Sequence, residues 1–401
     1  MTLGKGVNVF QSVDEIGRDA VNSIADDAFF TYGWFKTLET QQSFRISPIY
    51  FAVYDEGQLV AVAPCFIDLL DHFFRYAPRV MPFNRVYFGE RGSDFGNKLL
   101  AFALKKMLVF GRQFGFCREN VLLCYSPFSG RSKVLIGKNF EDEHLTLLIE
   151  KIDAFCKKEK VLFSSFLFVS EFNNLLMNSL PDFGYLKARE HLANFYFDVR
   201  WSSFGEYLNS MEYHTRKNVR REIQKCAENG VTIERIEIKG NQAHFLEIVT
   251  DVCLTQNRNV RVHDSDYSFL SKLSGYAKDK IILFIGKKND QVVGFSLCLR
   301  KGDILDVWRA RFNYDVQTTT DFTYFNLCYY TPIRWAIDNN VKKIRYPRGL
   351  GKAKLYRGCK PENVFSFVRC HESLLEPLIM NLAKTSLLTG SARELSKSQD
   401  G

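Results

Sequence analysis

One strand, turn, strand design occurs twice in this chain, and that repeat restricts the fold more than any other feature. Tyr50–Cys65 reads YFAVYDEGQLVAVAPC, and the stretch from Ile281 to Cys298 reads IILFIGKKNDQVVGFSLC, roughly 233 residues later. Each copy is an apolar run, a polar turn (Asp55-Glu56-Gly57 or Lys288-Asn289-Asp290) and a second strand opened by Gln-Leu-Val-Ala or Gln-Val-Val-Gly. Each also follows a short amphipathic segment, Trp34–Leu38 in one case and Phe269–Leu273 in the other. Repetition on this scale predicts a duplicated α/β unit with a shared interface, where substrate clefts often lie.

The chain is long enough for two such units. It has 401 residues, 46% hydrophobic, with only ten prolines, a composition that excludes extensive disorder. Apolar runs such as Val161–Val169 end too soon to cross a bilayer, and the N-terminus lacks the features of a secretory signal. The expectation is a cytoplasmic protein with no membrane span. Ten cysteines show neither a C-x-x-C pair nor metal-ligand spacing, and Cys65, Cys298 and Cys328 stand in apolar surroundings. They read as reduced core residues, with no metal site. A net charge of +9 favours an anionic ligand.

Strand and helix signals alternate, which indicates mixed α/β domains rather than a sandwich or a bundle. In the first half, helical signals at Thr31–Thr40 lead into the Tyr50–Ile67 hairpin. A loop with Pro78, Pro82, Gly89, Gly92 and Gly96 then precedes a helix near Asn97–Phe114. Strands are expected at Val121–Tyr125, Val161–Val169 and Asn194–Val199, with helices at Glu141–Lys158 and Glu171–Ser179. The second half opens on a Ser203/Glu206 capping box, and Thr215 is placed to cap a helix over His214–Asn229 that Gly230 stops. The strand Ile304–Phe312 follows a tight Lys301-Gly302-Asp303 turn. Thr318–Asp321 then opens a long helix with Phe325, Tyr329, Ile333 and Ile337 on its core face and Pro332 as a kink. The strand Lys342–Tyr346 delivers residues 348–352 into a flexible loop. The expected domains are 1–199 and 200–385, the second carrying the site, with a flexible tail at 386–401.

The helix at 214–229 carries Arg216 over Arg220 and Lys217 over Arg221 over Lys225, two rows of like charge that an anion would relieve. Alternatively it is a solvated face with Glu222 and Glu228 as partners.

These residues resemble a known family. Thr215-Arg-Lys-Asn-Val-Arg-Arg-Glu, followed by Glu-Asn-Gly-Val, resembles the R-K-x-x-R-R-E segment of FemAB-like proteins in the GNAT acyltransferase superfamily. Phe325–Tyr330 with Ile333, and Gly349–Pro361 with Lys354, Arg357-Gly358 and Pro361, are similar to the closing helix and strand of the same group. The nearest branch is the one labelled peptidoglycan biosynthesis/recognition, beside BioF-like and CelD-like acetyltransferases. The aromatic helix and Leu-Val-Ala-Val-Ala-Pro strand within Thr31–Pro64 fit that branch as well. The resemblance implies an α/β fold with mixed sheets, a tandem pair of GNAT-like domains in a FemAB-like architecture, and transfer of an acyl or aminoacyl group to an amine. Three departures stand out. Asn326 replaces a glutamate, Lys352-Ala353 replaces Glu-His, and Asn313–Thr320 lacks the glycines of an acetyl-CoA pyrophosphate loop. The last tilts the donor away from plain acetyl-CoA.

Acyl transfer needs a polarised carbonyl, a proton acceptor and a site for the donor's anionic part. The resemblance gives Lys354 the electrophilic role. Asp306 is the candidate base, or else one half of a structural Asp–Arg pair, and Tyr324 and Tyr346 are softer candidates. Donor binding falls to Arg216, Lys217, Arg220, Arg221, Arg309 and Arg357, with Thr319 and Thr320. No bound cofactor is expected; the donor substrate is an acyl-CoA or other thioester, or an aminoacyl-tRNA, with a carrier protein as a further source. The acceptor is a small-molecule or peptide amine. His214 and His263 stand alone and support no triad. Two other readings remain open: a noncatalytic RNA or anion binder using helix 214–229, and a degenerate pseudo-acyltransferase.

Overall fold

The computed structural model describes residues 5–41, 47–69, 118–190, 192–236, 238, 245, 247–248, 252, 264–314, 316 and 319–372. The expected helix at 97–114, the loop before it, His263 and the expected tail at 386–401 lie outside the described residues. The chain forms two compact units, one of residues 1–24, 45–193 and 363–401 and the other of residues 25–44 and 194–362.

The first unit contains β1 (Gly6–Phe10), β2 (Ser47–Asp55), β3 (Gln58–Leu69), β4 (Arg118–Leu123), β5 (Leu135–Ile136), β6 (Val161–Ser170), β7 (Leu186–Arg189) and β15 (Val364–Cys370). They form one sheet in the order β1-β2-β3-β4-β6-β15-β7, with β5 attached to β3. The second unit contains β8 (Asn194–Asp198), β9 (Val231–Ile236), β10 (Ile281–Lys288), β11 (Gln291–Lys301), β12 (Ile304–Phe312), β13 (Lys343–Tyr346) and β14 (Lys360–Glu362). Its order, read from the β9 edge, is β9-β10-β11-β12-β13-β8-β14. The two orders match position for position. Among the described residues each sheet has one parallel pair, β4 with β6 and β12 with β13. Each also has an interior strand distant in sequence from its neighbours: β15, from the far end of the chain, inserts between β6 and β7, and β8, the first strand of its unit, inserts between β13 and β14.

The repeated hairpin is the second and third strand of each sheet, and the two copies agree in detail. Glu56-Gly57 and Asn289-Asp290 all have positive φ, the two-residue turn whose twist suits a hairpin. Asp55 pairs with Gln58 and Lys288 with Gln291. The register then skips one residue in both, Val60 in the first and Val293 in the second.

In the first unit, α1 (Arg18–Ile24), α3 (Asp142–Lys158) and α4 (Asn174–Asp182) accompany the sheet. The apolar stripe of α3, Leu145, Leu148, Ile149, Ile152 and Cys156, packs on Phe51, Val53, Leu122 and Phe166. Just beyond β15, His371 Nδ1 lies 3.1 Å from Asp153 Oδ1 and Nε2 lies 2.8 Å from Ser164 Oγ, which is itself 2.7 Å from the Tyr185 hydroxyl. Ser164 has no exposed surface and shares its oxygen with Tyr185, so this Ser-His-Asp chain is a buried tie between β6, β15 and α3 rather than a nucleophile. Asp153 also binds Lys157 at 2.7 Å and Arg369 at 3.4 Å.

The second unit takes both amphipathic segments that precede the hairpins. They are α2 (Tyr32–Thr40) and α7 (Asp264–Tyr276), packed together by an edge-to-face contact of Trp34 on Phe269 at 5.5 Å. A Cβ on Gly33 would lie 2.5 Å from the Tyr276 carbonyl oxygen, so only glycine permits this approach. Gly33→Ala is expected to destabilise the second unit by about 1–3 kcal/mol. An unchanged urea midpoint would show that the two helices shift apart freely.

Three further helices pack on the opposite face: α5 (Phe204–Asn209), α6 (Tyr213–Glu228) and the helical stretch 323–338. Ser203 caps α5 by accepting from the Glu206 N–H at 3.2 Å, but the Glu206 carboxylate turns to Ser202 instead of closing the box. Thr215 is not the cap of α6. The helix starts at Tyr213 with Glu212 as its N-cap, because the Glu212 carbonyl already accepts the Arg216 N–H at 2.9 Å.

Candidate active site

In the second unit β12 and β13 run together only where Ile304–Asp306 pair with Lys343–Arg345; β12 then continues to Phe312 while β13 ends at Tyr346. A bulge against β11 leaves Trp308 outside the register. Among the described residues, no strand pairs with this side of β12 beyond Asp306, so its ladder groups can be completed by an extended amide.

The helix after β12 begins as α8 (Thr323–Phe325), widens into a π turn (Asn326–Tyr330) and resumes as α9 (Thr331–Asp338). The Thr331 N–H reaches back to the Asn326 carbonyl. Pro332 has no N–H for the Cys328 carbonyl and its ring would crowd it, so the expected kink takes the form of a wider turn. All five residues of that turn are buried.

Tyr330 thereby meets a charged cluster. Glu222, buried on α6, pairs its Oε2 with Arg357 Nη2 at 2.7 Å, and the Tyr330 hydroxyl donates to the same oxygen. Arg357 donates through Nε to the Tyr330 oxygen at 3.0 Å and through Nη1 to the Ala353 carbonyl at 2.9 Å. The Tyr207 hydroxyl donates to the Arg357 carbonyl at 3.1 Å, and the Phe325 ring centre lies 3.7 Å from the guanidinium. Burial alone would lower the Arg357 pKa, but Tyr330 and Glu222 outweigh it and the value rises. Burial pushes the Tyr330 hydroxyl up, so it remains a donor.

Lys354 lies one turn before Arg357 on α10 (Gly351–Tyr356), so the expected flexible loop is helical from Gly351 onward. Its side chain is buried rather than on an open loop. The ammonium donates to the Pro347 and Gly349 carbonyls and lies 4.9 Å from the Phe195 ring centre. Burial pulls its pKa down to about 8. Tyr324 packs on Phe312 at 5.6 Å with its hydroxyl 3.4 Å from that of Tyr329, and burial raises its pKa. Tyr346 stacks on Tyr329 at 5.1 Å.

Asp306 is on the other face of the sheet. Its neighbours Leu305 and Val307 point to the helices, so alternation turns it toward Arg345, its partner in register. Arg345 in turn holds the buried Asp27 at 2.5 Å, and Asp27 and Asp306 raise its pKa against the cost of burial. Asp306 thus joins a buried charge group, and Lys354 and Asp306 are not brought together.

Of the donor candidates, Arg216 is spent on the Asn209 and Met211 carbonyls, both at 3.3 Å. Lys217, Arg220 and Arg221 are exposed and have no ion pair among the described residues, while Lys225 binds Glu228 at 2.7 Å. Arg309 lies over the Trp308 ring at 4.7 Å. Thr319 and Thr320 belong to a short 3₁₀ turn, and the Thr320 carbonyl accepts from Asn229 at 3.2 Å.

Sequence reasoning missed Glu222, Tyr207 and Tyr330. The signal was present: Glu222 falls in the stripe of Val219 and Cys226, where an apolar residue is expected. Asn326, at the position where the resemblance places a glutamate, donates to the Glu222 and Phe322 carbonyls at 3.1 and 3.0 Å and so ties the π turn to α6.

No curated protein matches the chain. Among solved structures it is similar to FemX, with 10% identity, a TM-score of 0.55, and coverage of 93% of this chain and 99% of that one. It is also similar to the C-terminal domain of a putative lysylphosphatidylglycerol synthetase from Agrobacterium fabrum, with 12% identity, a TM-score of 0.46, and coverage of 65% and 82%. A tandem GNAT protein from the clavulanic acid biosynthesis pathway matches with 6% identity, a TM-score of 0.47, and coverage of 92% and 98%. The FemX likeness, together with two sheets of equal strand order, gives the α/β tandem GNAT-like architecture. The sequence pattern of FemAB-like proteins, described as peptidoglycan biosynthesis/recognition, matches residues 119–389, well over half of the protein, and the chain therefore belongs to that family.

Proposed function

We propose that the protein is an N-acyltransferase that moves an acyl or aminoacyl group from an activated donor to an amine on a small molecule or peptide. The observation that carries this reading is the parting of β12 from β13 after Asp306 and Arg345. A donor with an amide-bearing arm, such as an acyl thioester, lies along the open edge of β12 as an added strand. Its carbonyl then rests near the end of β13, on the side where Tyr346, Lys354 and Arg357 cluster. The amine attacks the carbonyl carbon, the donor bond to sulfur or oxygen breaks, and the amine proton leaves with that atom. Lys354 supplies positive charge for the oxyanion, and the Glu222–Arg357 pair positions α10, which carries it. Asp306 stands on the other face and takes no proton in this reading. An aminoacyl-tRNA donor would use Lys217, Arg220 and Arg221 for its phosphates.

The test is product detection by mass spectrometry with a panel of acyl-CoAs and charged tRNAs. Lys354→Met is expected to lower kcat by about 100-fold or more while the fold is retained. Because the ammonium is the active form and its pKa is about 8, the wild-type rate should fall as pH rises past that value. Turnover with no donor, or an undiminished Lys354→Met variant, would remove the proposal.

A further inference from the structure

The outer face of α10 carries exposed apolar side chains that the proposed acyl transfer does not use, and it lies beside the basic face of α6. Leu350, the residue that opens α10, is 67% exposed and Leu355 is 52% exposed. Tyr356 follows, its ring at the surface and its hydroxyl accepting from Asn218 of α6 at 2.8 Å. That hydrogen bond sets the two helices side by side. Along α6 run Lys217, Arg220 and Arg221, exposed and without ion pairs among the described residues, preceded by Tyr213 at 63% exposure. Leu350 is also held at a left-handed φ of 49° between Gly349 and Gly351, a conformation that glycine adopts with less strain. A strained, exposed leucine is an observation that calls for a functional account.

We infer that this face docks on an anionic phospholipid bilayer. Aliphatic and tyrosine side chains enter the boundary between headgroups and acyl chains, while the lysine and arginines beside them meet lipid phosphates. The leucines choose between the two polyanions that could meet such a stripe. Nucleic-acid bases stack on aromatic rings or arginine planes and gain little from a projecting leucine, whereas a bilayer gains from each apolar group it buries. Among the described residues no helix is long and apolar enough to cross a membrane.

The experiment is sedimentation of the full chain with phosphatidylcholine vesicles and with mixed phosphatidylcholine and phosphatidylglycerol vesicles, at low and high salt. Binding is expected only to the mixed vesicles and is expected to weaken with salt. Leu350→Ser with Leu355→Ser, both surface changes, should lower the partition coefficient by about fivefold or more. Lys217→Ala with Arg220→Ala and Arg221→Ala should abolish the preference for phosphatidylglycerol. Circular dichroism confirms that each variant is folded. Absence of binding to the mixed vesicles overturns the inference, as does full binding by the leucine variant. Salt-sensitive RNA binding without vesicle binding would assign the stripe to a nucleic acid and overturn it too.

Discussion

Glu222→Ala is expected to cost about 3–5 kcal/mol of stability in the second unit, because it strands a buried guanidinium. Arg357 has Nη2 on Glu222, Nε on Tyr330 and Nη1 on Ala353, with the Phe325 ring against its plane. Removing the carboxylate leaves that charge away from water and takes the acceptor from the Tyr330 hydroxyl. Three elements would lose their common tie: α6, the π turn and α10. A double-mutant cycle in urea separates this from simple loss of packing. Glu222→Leu and Arg357→Leu should each destabilise strongly alone, yet the double variant should recover much of the loss, since it leaves no stranded charge. Additive losses in the cycle would show that the pair is not coupled.

Acid should weaken the first unit over a specific range. His371 is buried beside Asp153, Lys157, Arg369, Ser164 and Tyr185, and burial, aided by the positive charges of Arg369 and Lys157, pulls its pKa down to about 4. Asp153 opposes that shift without reversing it. Its own carboxyl is raised by burial, but the Lys157 hydrogen bond and the surrounding positive charges leave it below the ordinary value. The folded pKa of His371 is below that of the unfolded chain, so protonation favours unfolding. The stabilisation is complete above about pH 6.5 and is lost as pH falls toward 4, by about 3 kcal/mol in all. Thermal unfolding at pH 7.5 and pH 5 should therefore show an acid-induced loss that His371→Gln, which cannot titrate, reduces. Parallel pH profiles for the two proteins would rule out His371 as the source.

The fold was legible wherever local patterning and tertiary structure agree. The repeated hairpin revealed itself because a two-residue turn and alternating strands are written in adjacent residues, down to the matched bulges at Val60 and Val293. Long-range strand pairing left no such mark. Nothing within Asn194–Asp198 or Val364–Cys370 says which sheet each will enter, because partner choice depends on residues far away in the chain. The site was legible by residue type and obscure by role. Arg357 was seen as a basic residue, but its partner Glu222 sits in a run of arginines and lysines that reads as a solvated face. Lys354 was placed on a loop because flanking glycines signal loops, whereas Gly351 here starts a helix and lies close over the Phe195 ring, where a Cβ would stand 3.1 Å from its edge.

The placement of β15 also bears on how the protein is made. Val364–Cys370 completes the sheet to which β1 belongs, so the first unit emerges from the ribosome lacking an interior strand. Until that strand is synthesised, one edge of β6 stays open to any passing chain, which makes nascent protein the form most exposed to misassembly and most dependent on chaperones.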